Sequence, residues 1–315
     1  MTQSTSLPDP ELTGTRAKPW RLVLLSGLAG VVLAVLWSPH LVDKVIAGGI
    51  AGPIFGEDLA GVTISGSGMA IAFAFVTGVA GMFTACNVAV FSALAPLAAQ
   101  PGGTRSRVLA LLRPIGLLLA GAVVVSGLYG AIGVLFSDGM PQLSSARIGD
   151  PETGLPVRIL QAGIVFGVIG LIMLWRGLSY AGLARNPLAG LFARRPGAEL
   201  VFLGGLMGAF LIGRPYPPFR KLYEYAASTD NPLLGFLTFA LQSTGNIAGV
   251  AVLFLLVTFA TRGRFQRWLT ASPGRAARVS AAAFILVGTF FVCYWTVKLG
   301  YRAGVLWWPN MPYNT

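Results

Sequence analysis

The sequence predicts an all-α polytopic membrane protein with seven transmembrane helices, one leading helix followed by a three-plus-three inverted-repeat core. Three observations predict it. Hydrophobic residues fill 55% of the 315 positions and charged residues only 11%, against about 25% charged in a soluble domain, and the mean hydropathy is +0.72. Apolar runs near the length of a bilayer crossing recur along the chain. Basic residues gather in alternate connections between those runs. A net charge of +12 would suit a nucleic-acid binder, but these residues lie in short loops where orientation in a membrane explains them. The expected partner is therefore the lipid bilayer, with no nucleic acid.

Residues 1–19 are polar, contain Pro8, Pro10, Gly14 and Pro19, and show no apolar periodicity, as in a disordered tail. The leading span runs from Trp20 to Trp37. No small-x-small cleavage pattern precedes Ser38-Pro39-His40, and a tryptophan at each end suits a retained span, so it reads as a helix rather than a signal peptide. The loop 38–68 is long and Gly-rich, and either lies on the membrane or dips into it. Six further spans are predicted at about 69–96, 114–136, 159–182, 199–214, 233–260 and 279–300. The six-helix core thus covers 69–300, as repeats 69–182 and 199–300, and 301–315 is a tail. Its W-W-P-N-M-P-Y-N-T has too many prolines for a helix and reads as an interfacial anchor through Trp307 and Trp308.

Loops after the second, fourth and sixth spans carry Arg105, Arg107 and Arg113, then Arg185, Arg194 and Arg195, then Arg262, Arg264, Arg267, Arg275 and Arg278. The other loops are mixed in charge. The positive-inside rule places the N-terminus in the cytoplasm and the C-terminus outside, in a plasma (inner) membrane.

Two stretches hold the candidate chemistry. Gly78 to Pro96 (G-V-A-G-M-F-T-A-C-N-V-A-V-F-S-A-L-A-P) places Cys86 and Asn87 inside an apolar run. Gly205 to Phe219 (G-L-M-G-A-F-L-I-G-R-P-Y-P-P-F) repeats its spacing, Gly78, Gly81 and Phe83 returning as Gly205, Gly208 and Phe210. Three-helix units joined in sequence must lie inverted to one another, and such repeats place a working site at their interface on interrupted helices. The match pairs Cys86 with Gly213 and Asn87 with Arg214.

Proline lacks an N–H and clashes with the carbonyl four residues earlier, so Pro215, Pro217 and Pro218 must unwind the chain around Tyr216. Irregular backbone at membrane depth is tolerated only where protein buries it or a wet cavity adjoins it. The alternative is that Arg214 to Pro218 ends the helix at headgroup depth, with Arg214 snorkelling. The densest polar cluster, Gln242 to Asn246 (Q-S-T-G-N), either bonds helix to helix or lines a solute path. Lys298 and Arg302 read as snorkelling side chains at a span end.

Other chemistries are excluded. The chain has one histidine, His40, and two cysteines far apart, Cys86 and Cys293, which supports neither a zinc site nor a bis-histidine haem. No metal and no cofactor are expected. No phosphate-binding loop, dinucleotide fingerprint or Ser-His-acid set is present.

The Gly-rich first core helix with a central cysteine, the Pro-broken G-R-P-Y-P-P-F, and the three-plus-three core behind an extra span resemble the cytochrome c biogenesis thiol-disulfide membrane family, the CcdA-type proteins and the transmembrane domain of DsbD. The resemblance covers about residues 69–300. It implies a relay of reducing equivalents across the membrane in support of cytochrome c assembly, with a thioredoxin-like partner on either side and thiol-disulfide oxidoreductase activity. Cys86 stands at the family's first-repeat position, in T-A-C-N rather than the usual Pro-Cys. The second repeat keeps its prolines but has Gly213 where its cysteine belongs. Cys293 is the one other thiol available to Cys86, a pairing the family does not supply and one that would need a Cα separation of about 4.4–6.8 Å. The chain is expected to act as such a relay or, on the same scaffold, as a small-solute transporter or exporter whose path includes Arg214, Pro215, Tyr216, Pro217, Gln242 and Asn246.

Overall fold

A computed structural model of the chain describes residues 19–56, 59–82, 104–150, 152–195, 197–261, 264–272, 274–309 and 311–314. The expected tail up to residue 18, and Cys86 and Asn87 with the rest of the stretch beyond Met82, lie outside the described residues. Helices follow in the order α1 (Pro19–Leu36), α2 (Ala47–Phe55), α3 (Ser67–Ala80), α4 (Thr104–Phe136), α5 (Val157–Tyr180), α6 (Ala189–Arg194), α7 (Ala198–Gly213), α8 (Pro217–Ser228), α9 (Pro232–Ala260), α10 (Arg264–Thr270), α11 (Arg275–Phe291) and α12 (Lys298–Arg302). Two π-helical turns, His40–Ile46 and Val292–Val297, precede α2 and join α11 to α12. A short antiparallel hairpin pairs Arg147 with Pro156 and Ile148 with Leu155.

The protein is a multi-pass, all-α membrane protein. Five stretches, Pro19–Leu36, Leu112–Phe136, Val157–Tyr180, Pro232–Val257 and Arg275–Arg302, are long and apolar enough to cross a membrane; α7 with α8 makes a sixth if the pair, bent by 85°, counts as one span. The expected second span is described only as α3, whose 14 residues reach about 21 Å, short of a bilayer core of ~30 Å. The fourth helix begins earlier than expected, so Arg105, Arg107 and Arg113 occupy its first turns, with Pro114 inside it. The start of α9 shows how local sequence sets a boundary. Asn231 accepts hydrogen bonds from the N–H groups of Leu233 and Leu234 at 3.0 and 3.2 Å, and Pro232 behind it has no N–H to leave orphaned.

Packing runs α3–α9–α4–α7–α5–α11–α1. In a bilayer there is no hydrophobic force between helices, so close backbone approach through small residues must supply the cohesion. Two crossings illustrate it. Where α3 meets α9, a Cβ on Gly78 would collide with the carbonyl of Gln242, and one on Gly245 with the carbonyl of Phe75. Where α7 meets α4, a Cβ on Gly204 would collide with the carbonyl of Leu118, and one on Gly121 with that of Val201. Beyond these contacts the side chains interlock. Met82, just past the end of α3, fills the space over Gly249, and Ala122 and Val125 of α4 close the space over Gly208.

The loop 38–68 folds onto the core, with Ala47 and Ala51 fully buried and α2 packed on α3. The tail divides the two tryptophans read as anchors. Trp307 is 81% exposed, whereas Trp308 is 7% exposed and joins the main core cluster.

Adjacent glycines on α7 test the crossing. Gly204→Ala is expected to destabilise the protein by roughly 1–3 kcal/mol through overpacking. Gly205→Ala, whose added Cβ would lie 3.5 Å from Val125, is expected to be neutral or to stabilise by up to about 1 kcal/mol through helix propensity. Thermal unfolding in detergent reads both; equal effects would contradict the crossing.

Candidate functional site

The break between α7 and α8 centres on Arg214. Helix α7 stops at Gly213, and Arg214 takes an extended conformation with φ −78° and ψ 113°, as the following proline requires. Two of the carbonyls that the break frees find new partners. Gln142 donates its Nε2–H to the carbonyl of Ile212 at 2.9 Å, and the N–H of Tyr216 bonds the carbonyl of Arg214 at 2.9 Å. A side chain 70 residues away in sequence thus replaces a helical bond. Buried backbone polar groups demand such replacement.

Arg214 does not snorkel: it is 6% exposed. Its Nη2 pairs with Oδ1 of Asp43 from the π-helical turn. Its guanidinium lies 4.4 Å from the ring centre of Tyr216 and 5.6 and 5.7 Å from those of Phe219 and Phe210, within cation–π reach. Its Nη1 and the hydroxyl of Tyr216 are buried without a hydrogen-bond partner among the described residues. A Cβ on Gly81 would lie 3.4 Å from that Nη1, so the C-terminal end of α3 reaches the same guanidinium as the C-terminal end of α7. A helix C-terminus carries about half a negative charge. Two such ends and one carboxylate therefore surround one cation.

Gln242 lies one turn back along α3. It donates from Nε2 to Oγ1 of Thr77 at 3.4 Å, and its Oε1 is buried without a partner among the described residues. The rest of the Q-S-T-G-N cluster diverges. Ser243 bonds Ser126 of α4 at 2.8 Å, Thr244 bonds the carbonyl of Ala240 within its own helix at 2.8 Å, and Asn246 presents its backbone toward Gly78. The structure brings Arg214, Pro215, Tyr216 and Pro217 together and leaves Gln242 and Asn246 on the far side of α3's last turn.

Gly213, predicted as the position of an absent cysteine, is glycine for a packing reason. A Cβ there would press on Phe166 at 3.0 Å and Val165 at 3.1 Å, leaving no room for a thiol without repacking. Cys293 is a free, half-buried thiol in the second π-helical turn. No group of three or more metal-ligating side chains occurs among the described residues.

Two cavities flank the break, sharing Pro215 and Ile159. One, of about 460 Å³, is lined by Gln142, Arg158, Tyr216, Arg220, Lys221 and Glu224. The other, of about 210 Å³, lies among Trp37, Asp43, Arg214, Tyr294, Lys298 and Arg302. Sequence reasoning missed Asp43, Lys298 and the π-helical turns, having read the first two as loop and interface charges. The available signal was an acid in an apolar loop and a lysine inside an otherwise apolar last span. It also missed the pair of Arg176, 3% exposed, with Glu199, to which Tyr180 donates at 2.7 Å.

Compared with family models, curated proteins and solved structures, the chain matches none.

Two substitutions probe the break. Gln142→Leu strands the Ile212 carbonyl and should lower stability by about 1–3 kcal/mol. Tyr216→Phe removes an unpartnered hydroxyl and should be neutral or stabilising. Chemical unfolding in detergent distinguishes them, and a large loss from Tyr216→Phe would show an unrecognised partner.

Proposed function

We propose that the protein is a carrier-type membrane protein that moves a small solute through a path passing the Arg214–Pro217 break. The observation that carries this reading is the meeting of two truncated helix ends, those of α3 and α7, at one buried cation between two cavities. Discontinuous helices whose ends face a midplane site are the recurrent construction of secondary transporters. Gln142, from the turn that follows α4, supplies a hydrogen bond that helps keep the unwound segment stable in an apolar setting.

The inverted repeat belongs to this proposal, and the two glycine crossings support it. Gly204 stands at its crossing as Gly78 does, and Val201 as Phe75 does, an offset of 126 in both cases; on the partner helices Leu118 and Gly121 answer to Gln242 and Gly245, an offset of 124. The large and small residues beyond them correspond as well, with Met82 over Gly249 on one side and Gly208 under Val125 on the other. This register is one residue from the Gly78–Gly205 match read in the sequence. It sets Gly213 against Asn87 and Ile212 against Cys86, so Gly213 no longer stands for a lost cysteine. In this reading the N-terminus is cytoplasmic, the C-terminus is outside, and seven spans cross.

A carrier exposes its site to each side in turn. We expect Tyr216→Cys, in a Cys86→Ser/Cys293→Ser background, to react with a membrane-impermeant maleimide in both right-side-out and inverted vesicles; reaction from one side alone overturns the carrier reading.

The thiol-relay reading retains one favourable observation. Cys293 adjoins Tyr294 and Trp295, which wall the smaller cavity, within a π-helical turn of the kind found at functional sites. Cys86→Ser separates the readings in cells. Unchanged c-type cytochrome levels and thiol oxidation states are expected for a carrier, and loss of either assigns the relay.

A further inference from the structure

Each cavity carries three cations and one carboxylate on its wall, and the smaller one differs in holding a buried lysine that no carboxylate engages among the described residues. In the larger one, Glu224 pairs with both Arg220, at 2.9 Å, and Lys221, at 3.1 Å. In the smaller one, Asp43 is engaged by Arg214, and two further cations, Lys298 and Arg302, line the wall. Lys298 is only 6% exposed. Among the described residues its ammonium makes no hydrogen bond and no ion pair, and its one polar contact is the face of Tyr294, 4.8 Å from the ring centre. A lysine so largely withdrawn from water, unpaired beside a second cation, is costly, and an anion is what offsets that cost.

The remaining walls are aromatic. Trp37, Phe290, Phe291, Tyr294 and Trp295 line the cavity with Lys298; Trp37 packs on Phe290 with ring centres 4.9 Å apart, and Phe290 stacks on Tyr294 at 5.4 Å. At about 210 Å³ the space falls below the ~300–1,000 Å³ of sites that enclose a drug-sized ligand. It has room for a headgroup, with the rest of an amphipath against the aromatic wall that Trp37, just past the end of α1, completes; α1 is the least buried of the candidate spans.

We propose that this cavity is a binding site for an oxyanion headgroup, phosphate or carboxylate, carried on an apolar body, with Lys298 and Arg302 holding the anion and Trp37, Phe290 and Trp295 holding the adjoining apolar part. Lys298 makes the charge-assisted contact in the buried end. Arg302, which is exposed, stands at the mouth. Such an anion comes either from an acidic phospholipid of the surrounding leaflet or from a free amphipathic solute. The site does not depend on the carrier reading, since its test reads binding and not movement.

The test uses the full chain in detergent and in nanodiscs. Two probes separate the sources: phosphatidylglycerol against phosphatidylcholine, read as retained lipids by native mass spectrometry, and phenyl phosphate, read by quenching of tryptophan fluorescence. Wild type is expected to retain phosphatidylglycerol selectively, to bind phenyl phosphate, or both. Lipid retention that phenyl phosphate does not displace assigns the lipid source, and displacement assigns a free solute. Lys298→Met should weaken the bound probe by about ten-fold or more, as expected for loss of a hydrogen bond to a charged group, while Lys298→Arg should hold it within a few-fold. Failure of wild type to bind either probe overturns the site, as does equal binding by Lys298→Met. Should Lys298→Met fail to fold, Arg302→Gln at the exposed mouth replaces it, with the same sign and a smaller effect expected.

Discussion

A backbone that leaves its helix inside packed protein must find hydrogen-bond partners other than water, and the structure around Arg214 is shaped by that constraint. Three prolines at 215, 217 and 218 forbid the helix from continuing. The chain survives the interruption because Gln142 takes the carbonyl of Ile212 and the N–H of Tyr216 takes that of Arg214. Burying the guanidinium then requires its own compensation, which Asp43, three aromatic faces and two helix C-termini supply. The aromatic faces are local to residues 210–219, but Asp43, Gln142 and the end of α3 are distant in sequence, so the break ties the loop 38–68, the hairpin-side loop of Gln142 and the two helix ends into one unit.

Glycine performs the complementary task. Helices that must bring an unwound segment and a cation to one point have to approach closely elsewhere, and the crossings at Gly78 with Gly245 and at Gly121 with Gly204 allow it. The two crossings use the same arrangement of glycine opposite carbonyl, and they place the ends of α3 and α7 on either side of Arg214. The burial of their cations then distinguishes the spaces left over. Arg220 and Lys221 of the larger cavity share Glu224, while the smaller keeps the buried Lys298 without an ion-pair partner among the described residues.

Much of the fold was legible in the sequence, because apolar run length and proline position are local signals. The break at Gly213–Pro217 follows from the prolines alone, and the start of α9 from Asn231-Pro232. The polarity of individual residues was harder to read. Arg214 and Lys298 both resembled snorkelling side chains; what decides their burial is Asp43 and Tyr294, partners distant in sequence that only the packing supplies. Arg176 escaped notice for the same reason, its partner Glu199 lying in the next long helix. The Q-S-T-G-N cluster misled in the other direction. A helix turns about 100° per residue, so a dense polar run in sequence faces several neighbours in space, and Ser243 and Gln242 bond different helices. The match of Gly78 with Gly205 was visible in the sequence, but glycine is too common here, at 41 residues, to fix an alignment by itself.

The account stands on the coupling between Arg214 and Asp43, and a double-mutant cycle of Arg214→Gln and Asp43→Asn, measured as unfolding free energy in detergent, tests it most directly. Each single change leaves a charge or a charge-adapted setting uncompensated, so the account predicts a coupling energy of at least about 1 kcal/mol between the two positions. Because Asp43 remains 32% exposed, its single change should cost less than that of Arg214. Effects that add within about 0.5 kcal/mol would show that the two residues act independently and would contradict the account.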